Sequence, residues 1–189
     1  MNQLLEWLTG GDLRSDGQAS EVADLVLQNP QLFDDLYEGL FVEDEVVRGR
    51  TAHALERISR SKPELLAAYM EQLIEVAKAD SLPMVRFHLA MLFGNMLIYV
   101  DQVKTIKTVL LEMLEDESVF TRSWVISSLC ILGRKYSGER ETILQALSPY
   151  LQDTSIAIRS RTEKALALLT DECQPFPPGW IKSEYLQEI

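Results

Sequence analysis

The stretch from Asp153 to Leu169, DTSIAIRSRTEKALALL, decides the fold because its pattern recurs three more times along the chain. In each occurrence a small apolar residue or a threonine precedes an arginine, and apolar residues at helical spacing follow it. The four arginines are Arg48, Arg86, Arg122 and Arg159, which lie 38, 36 and 37 residues apart. A period of this length is typical of repeats built from two helices.

Neighbouring positions support the same repeat. One column of the alignment is apolar throughout: Leu55, Phe93, Leu129 and Leu166. Aspartates stand six residues before three of the arginines, at Asp80, Asp116 and Asp153, whereas the first repeat has Val42 there and carries Asp44 instead. Because a carboxylate directly before a helix accepts hydrogen bonds from its free N–H groups, we predict that these aspartates cap the second helix of each hairpin.

A first amphipathic helix precedes each second helix. The predicted first helices cover residues 31–41, 63–78, 102–115 and 139–151. A hairpin of two such helices cannot bury its apolar face alone, so neighbouring hairpins must stack. The pattern from Asp80 to Arg86 resembles the HEAT-repeat family, and the resemblance extends over roughly residues 31–170. It implies a bacterial or archaeal protein with an all-α fold, a right-handed α-α superhelix of about four hairpins, although Trp124 and Glu163 depart from the usual small apolar residues.

The remaining segments complete a single domain over residues 1–189. Residues 1–30 contain two predicted capping helices, 2–8 and 20–28, and residues 31–170 contain the four repeats. In the tail, residues 171–189, three prolines around Phe176 exclude a helix, whereas residues 181–189 could form one. The tail either docks on its own solenoid, which we favour, or presents an exposed motif to a partner.

Composition restricts the partners and the compartment. The net charge of −11 disfavours binding to nucleic acid and to anionic membranes. Cys130 and Cys173 form neither a disulfide framework nor a zinc pattern, which fits a reducing compartment. The chain begins without a signal-peptide pattern, and the longest apolar stretch, residues 89–100, is too short to cross a bilayer. We therefore expect an acidic cytoplasmic protein.

The sequence shows no chemistry that would indicate an enzyme. It has no glycine-rich phosphate loop and no His-Glu dipeptide of a di-iron site. His53 and His88 fall in different columns of the repeat, so they need not face each other, and packed or surface positions are more typical of such a pair than a metal site. Cys130 lies on a mostly apolar helix and is expected to be a small core residue. We therefore expect no catalytic activity, cofactor or metal.

The recurring arginines allow two interpretations. Each could form an ion pair with a turn aspartate of its own or a neighbouring repeat, which would fix the stacking of the hairpins. They could instead form a row of cations that binds an acidic partner. We favour the structural interpretation.

The helix from Met84 to Ile98 carries the best indication of function, because it is apolar nearly all round. The tail, a second copy of the chain or a foreign peptide or helix could cover it. We predict a partner-binding groove on the concave side, formed by Arg57, Phe87, His88, Met91, Asn95, Trp124 and Lys164. On this interpretation Met91→Asp leaves the fold intact and abolishes binding or self-association.

The sequence therefore predicts a protein-protein interaction module or scaffold, since HEAT-like solenoids chiefly supply binding surfaces. Two alternatives remain open. One is a nucleic-acid-binding solenoid such as a HEAT-like DNA glycosylase, for which Trp124 would stack on a base and which the net charge disfavours. The other is a structural subunit of a larger assembly.

Overall fold

A computed structural model describes residues 2–189, and it contains eleven α-helices and no strand within that range. The helices are α1 (Gln3–Glu6), α2 (Ala19–Gln28), α3 (Phe33–Tyr37), α4 (Glu45–Ser61), α5 (Glu64–Ala67), α6 (Met70–Ala79), α7 (Pro83–Met96), α8 (Val103–Glu112), α9 (Val119–Lys135), α10 (Arg140–Leu147) and α11 (Ile156–Thr170). Within this described part, no helix is long and apolar enough to cross a membrane.

The helices form two layers of a solenoid. The second helices of the repeats, α4, α7, α9 and α11, pack side by side in sequence order, and α2 extends this layer at the N-terminal end. Contacts between consecutive first helices are much sparser than those between consecutive second helices. The second helices form the more closely packed layer, and the surface of this layer that faces away from the first helices is here called the concave face. The predicted all-helical solenoid is confirmed.

The first helices are less regular than predicted. Segments of 3₁₀-helix extend or interrupt them at Pro30–Leu32, Glu38–Phe41, Met113–Glu115, Ser137–Glu139 and Ser148–Gln152. The predicted helix 63–78 is divided into α5 and α6. At the break, the ring of Tyr69 packs against the rings of Phe33 and Tyr37 in the preceding repeat, with centroid distances of 5.1 and 4.5 Å.

Helix α7 is apolar all round because it lies between α4 and α9 and also contacts α6. Leu89, Phe93 and Met96 are fully buried on it. Gly94 permits the close approach to α9, since a Cβ at this position would lie 2.7 Å from the Ser128 hydroxyl. The solenoid itself therefore covers most of this helix.

The turn aspartates do not cap the second helices directly, which corrects the prediction from sequence. Each carboxylate accepts a hydrogen bond from the N–H two residues later, so it closes an Asx turn ahead of the helix: Asp80 to Leu82, Asp116 to Ser118 and Asp153 to Ser155. The N-cap residues are Leu82, Ser118 and Ser155 themselves, and only Asp44 of the first repeat caps its helix with a carboxylate.

The four repeated arginines are here called the arginine ladder, and the first three of them join consecutive repeats. Arg48 pairs with Asp80 at 3.0 Å, Arg86 pairs with Asp116, and Arg122 pairs with Asp153. Each pair is mostly buried, so it favours one stacking register more than it adds stability. Arg159 has no following repeat and donates to the carbonyls of Asp153 and Thr154 in its own turn. The predicted ion pairs with turn aspartates are thus present for Arg48, Arg86 and Arg122 but not for Arg159.

Candidate functional site

The concave face is organised by the column two residues after the arginine ladder. This column contains Arg50, His88, Trp124 and Arg161 in repeat order. Its outer members, Arg50 and Arg161, hold the two terminal segments of the chain. Its inner members, His88 and Trp124, lie between these segments.

Arg50 holds the glycine-rich loop between α1 and α2. Arg50 is 3% exposed, and its guanidinium donates five hydrogen bonds to backbone carbonyls. The acceptors are Leu8, Thr9, Gly10, Asp12 and Ser15, at 2.7–3.3 Å. Gly17 has φ 52° and lies so close that a Cβ would be 2.6 Å from the guanidinium carbon. The loop is therefore built around this one side chain.

The tail docks on the same chain, as favoured from sequence. Arg134 at the end of α9 donates to the carbonyls of Glu172 and Gln174, and its guanidinium lies 5.1 Å from the ring centroid of Phe176. A Pro-Gly turn follows, in which the Trp180 N–H donates to the Pro177 carbonyl and Gly179 has φ 81°. The turn directs Trp180 back onto the solenoid.

Arg161 lies between two tryptophans. Its guanidinium carbon is 4.9 Å from the ring of Trp180 in the tail and 5.1 Å from the ring of Trp124 on α9. It also donates to the Ser127 hydroxyl at 2.5 Å, while Lys182 of the tail lies 5.6 Å from Trp124. Burial lowers the pKa of Arg161 from its usual range, but a guanidinium remains charged at neutral pH. The cluster therefore holds the tail by cation–π contacts.

Beyond Trp180 the tail reaches the other end of the concave face. The Glu184 N–H donates to the Arg60 carbonyl at 2.9 Å, and the Tyr185 hydroxyl donates to the Ser61 carbonyl at 2.9 Å. Leu186 and Ser183 are buried, whereas much of the remaining tail is exposed. Residues 181–189, which could have formed a helix, contain none in this described segment; Lys182 lies against Trp124 and Tyr185 against Tyr99.

His53 and His88 stack on each other, although the sequence did not predict that they meet. Their ring centroids are 4.5 Å apart and the planes differ by 8°. The column that contains His53 follows the column of His88 by one helical turn. Adjacent second helices are offset along their axes, so the two rings meet. Burial lowers the pKa of His53 and lowers that of His88 well below its usual range, with the neighbouring His53 and Arg60 adding to the second shift. Neither ring nitrogen of His88 has a hydrogen-bond partner among residues 2–189.

Next to this pair, the concave face carries an aromatic row formed by Phe87, Phe120 and Trp124. The rings of Phe87 and His88 are 4.1 Å apart, and those of Phe87 and Phe120 are 6.3 Å apart. Phe120 and Trp124 are four residues apart on α9 and therefore share a face. Phe120 is 72% exposed, and Phe87 and Trp124 are partly exposed. The row thus joins an open apolar surface to the docked tail.

The seven residues predicted to line the groove divide into two groups. Those with accessible side chains are Phe87, Trp124, Arg57 and Lys164. Arg57 pairs with Asp24 at 3.3 Å. Lys164 lies on α11 away from the core.

His88, Met91 and Asn95 are buried, which corrects the expectation that they face a partner. The Asn95 amide instead donates to Glu56 and Ser59 on α4, at 3.1 and 2.9 Å. Met91 is 7% exposed, so Met91→Asp would bury a carboxylate and is expected to destabilise the fold. These positions were misassigned because α7 lies between α4 and α9, which cover it from both sides.

Sequence reasoning missed the residues that hold the terminal segments, Arg50, Arg134 and Arg161, and the most exposed aromatic of the row, Phe120. One signal was available. The sequence Arg-x-Arg-Thr occurs only in the first and last repeats, at residues 48–51 and 159–162, which are the repeats next to the terminal segments. No local pattern marks Phe120, because the exposure of a helix start depends on how the next repeat stacks.

Other features of the described chain are less suited to recognition or chemistry. An open cleft of about 760 Å³ on the outer side lies between Phe41 and α6, and its floor holds the ion pair of Arg48 and Asp80. Cys130 is buried, as expected for a small core residue, and burial raises the pKa of its thiol to about 12. Among residues 2–189, no three His, Cys, Asp or Glu side chains are grouped so that they could hold a metal ion.

Comparison with known proteins shows the fold alone. No protein-family model matches the chain, and no curated protein matches it. An engineered protein of known structure is similar, with 19% identity and a TM-score of 0.63, over 88% of this chain and 79% of the other. A designed armadillo repeat protein has 14% identity and a TM-score of 0.59, over 88% of this chain and 80% of the other. The chain is therefore similar to helical repeat solenoids.

Proposed function

We propose that the chain is a non-enzymatic protein-binding module, built from HEAT-type repeats, whose concave face holds a peptide or helix of a partner. The aromatic row is the observation that carries this proposal. Exposed aromatic side chains in a contiguous patch are costly to hydrate, and they are enriched at the centres of protein interfaces. Phe120, at 72% exposure, is the most accessible member of the row.

The surroundings of the row indicate the chemistry of the partner. Asp16 lies 3.5 Å from His53, at the end of the His53–His88 stack that is opposite to Phe87, and Glu117 is exposed just before α9. Together with the net charge of −11, these carboxylates favour a segment with apolar anchors and basic flanks. The same charge opposes binding to a nucleic-acid backbone.

Panning a random peptide library on the full chain tests the proposal. Selected peptides are then measured by fluorescence anisotropy on the wild type and on Phe120→Ser, which should weaken binding at least about ten-fold, as expected for loss of an interface anchor. Phe41→Ser is the matched control, because Phe41 is 60% exposed on the outer side of the solenoid. Selected peptides that bind wild type and Phe120→Ser equally would refute the proposal.

A gel shift with duplex DNA separates the nucleic-acid alternative. The proposal predicts no complex even at low salt, whereas the alternative predicts a complex that weakens steeply as salt is added.

A further inference from the structure

We propose that residues 175–189 are an exchangeable occupant of the concave face, and that a partner protein displaces them with an extended segment of similar chemistry. This inference rests on the proposed function and names the partner's class. The segment would carry a tryptophan that stacks on Arg161 and, five residues later, a tyrosine followed by leucine, as Trp180, Tyr185 and Leu186 do.

The first support is the shape of the docked segment. Residues 175–189 contain no helix or strand in the described structure, and their contacts extend from Arg161 in the fourth repeat to Arg60 in the first. An extended segment on a preformed face is a recurrent way in which proteins recognise peptides. The tail therefore already shows the binding mode that a foreign segment would use.

The second support is the way in which the segment is held. Only Trp180, Ser183 and Leu186 are buried in it. Its hydrogen bonds to the solenoid are those of the Glu184 N–H and the Tyr185 hydroxyl. Trp180 stacks on Arg161, a cation–π contact that another tryptophan can reproduce, and Leu186 is buried in the apolar core at 1% exposure.

The third support is the receptor that remains when Trp180 leaves. Trp124 and the Ser127 hydroxyl both lie on α9 and hold Arg161 from the solenoid side. The cation is thus fixed by residues that do not belong to the tail, so the site keeps its shape for another aromatic ring. Trp124 also belongs to the aromatic row, so a partner segment on the row can continue directly into the tail site.

Tethering explains why the tail occupies the site in the free chain. A linked segment acts at a millimolar effective concentration, so a weak contact is enough to keep it bound. A partner must overcome this competition, and its apparent affinity falls by the fraction of chains in which the site is open. Loosening the tail should therefore tighten the binding of an added segment.

The test uses the full chain and a fluorescein-labelled peptide with the sequence of residues 172–189, in which serine replaces Cys173. Anisotropy should show binding to Trp180→Ser at least about ten-fold tighter than to the wild type, because the resident tail competes less. Trp7→Ser is the matched control, since Trp7 is exposed near the other end of the chain, and it should bind as the wild type does. The double variant Trp180→Ser/Arg161→Met should lose the gain.

Equal binding to the wild type and to a folded Trp180→Ser would overturn the inference. It would also be overturned if light scattering showed a wild-type dimer that Trp180→Ser converts to a monomer, because the occupant would then be a second copy. Library peptides that depend on Phe120 would remain in either case, so the failure of this inference is distinguishable from that of the proposed function.

Discussion

At each end of the solenoid an arginine holds a terminal segment of the chain, but the two arginines make different contacts. Arg50 and Arg161 occupy one column of the repeat, and each fixes a terminal segment on the concave face. Arg50 donates five hydrogen bonds to backbone carbonyls, whereas Arg161 donates one to Ser127 and otherwise stacks between two tryptophans.

The difference separates a structural anchor from a binding site. Backbone carbonyls around a buried cation belong to a loop of one defined shape, so the loop cannot leave without exposing unpaired polar groups. An aromatic ring on a cation can be replaced by another ring without such a penalty. The N-terminal loop is therefore part of the fold, whereas the tail occupies a binding site that another segment can take.

The largest expected effect is that of Arg50→Met. The substitution leaves the loop carbonyls of Leu8, Gly10 and their neighbours without their shared donor, and it should lower the free energy of unfolding by about 3–5 kcal/mol. Urea denaturation followed by circular dichroism measures the change. A loss below about 1 kcal/mol would show that the loop is not built around this side chain.

Gly17→Ala should have the next largest effect. Its φ of 52° disfavours a side chain, and the added Cβ would overlap the Arg50 guanidinium. We expect a loss of about 2 kcal/mol in the same urea experiment. Gly10→Ala is the control, because Gly10 also has a positive φ but open space around its Cβ position, and it should lose less.

His88, between the two arginines in the same column, should make stability depend on pH. Burial lowers its pKa in the folded chain, so the unfolded chain binds more protons as the pH falls below about 6.5, the ordinary pKa of histidine. The contribution of neutral His88 to the free energy of unfolding is therefore fully present above that pH. It is lost at up to about 1.4 kcal/mol per pH unit as the pH falls toward the folded pKa.

The comparison of wild type with His88→Leu between pH 7 and pH 5 measures this contribution. His53 acts in the same direction, since burial lowers its pKa as well. The groups that face the pair are Asp16, Glu56, Arg57 and Arg60. If the free energies of unfolding of wild type and His88→Leu changed in parallel with pH, the pH dependence would not come from His88.

Arg161→Met should have the smallest effect on stability, about 1 kcal/mol, because it removes cation–π contacts and one hydrogen bond but no backbone partner. The urea midpoint of Arg161→Met, compared with that of Arg50→Met, tests directly whether the tail contributes less to stability than the N-terminal loop. Equal losses for the two variants would mean that the tail is as integral to the fold as the loop.

Sequence periodicity predicted the second helices and the stacking of the repeats, because both depend on columns that recur in every hairpin. The ladder of Arg48, Arg86 and Arg122 shows this most clearly, since each arginine meets the aspartate of the next repeat. The breaks in the first helices, such as that at Tyr69, escaped prediction because they arise from contacts between repeats.

The candidate site was predicted only in part. Phe87 and Trp124 have the accessible side chains that a groove requires, whereas Met91 and Asn95 are buried by the close packing of α7. The role of Arg161 depends on a tryptophan that follows it by 19 residues beyond a Pro-Gly turn. Such a contact between distant parts of the chain leaves no local periodicity to recognise.

The most direct test of an exchangeable tail is ¹⁹F NMR of the full chain containing 5-fluorotryptophan, whose three signals report Trp7, Trp124 and Trp180. Unlabelled peptide of residues 172–189 is added to about 1 mM, comparable to the effective concentration of a tethered segment. We predict that the Trp180 signal moves toward its position in the urea-unfolded chain while the Trp7 signal stays in place. A Trp180 signal that does not move would contradict it and would make the tail a fixed part of the fold.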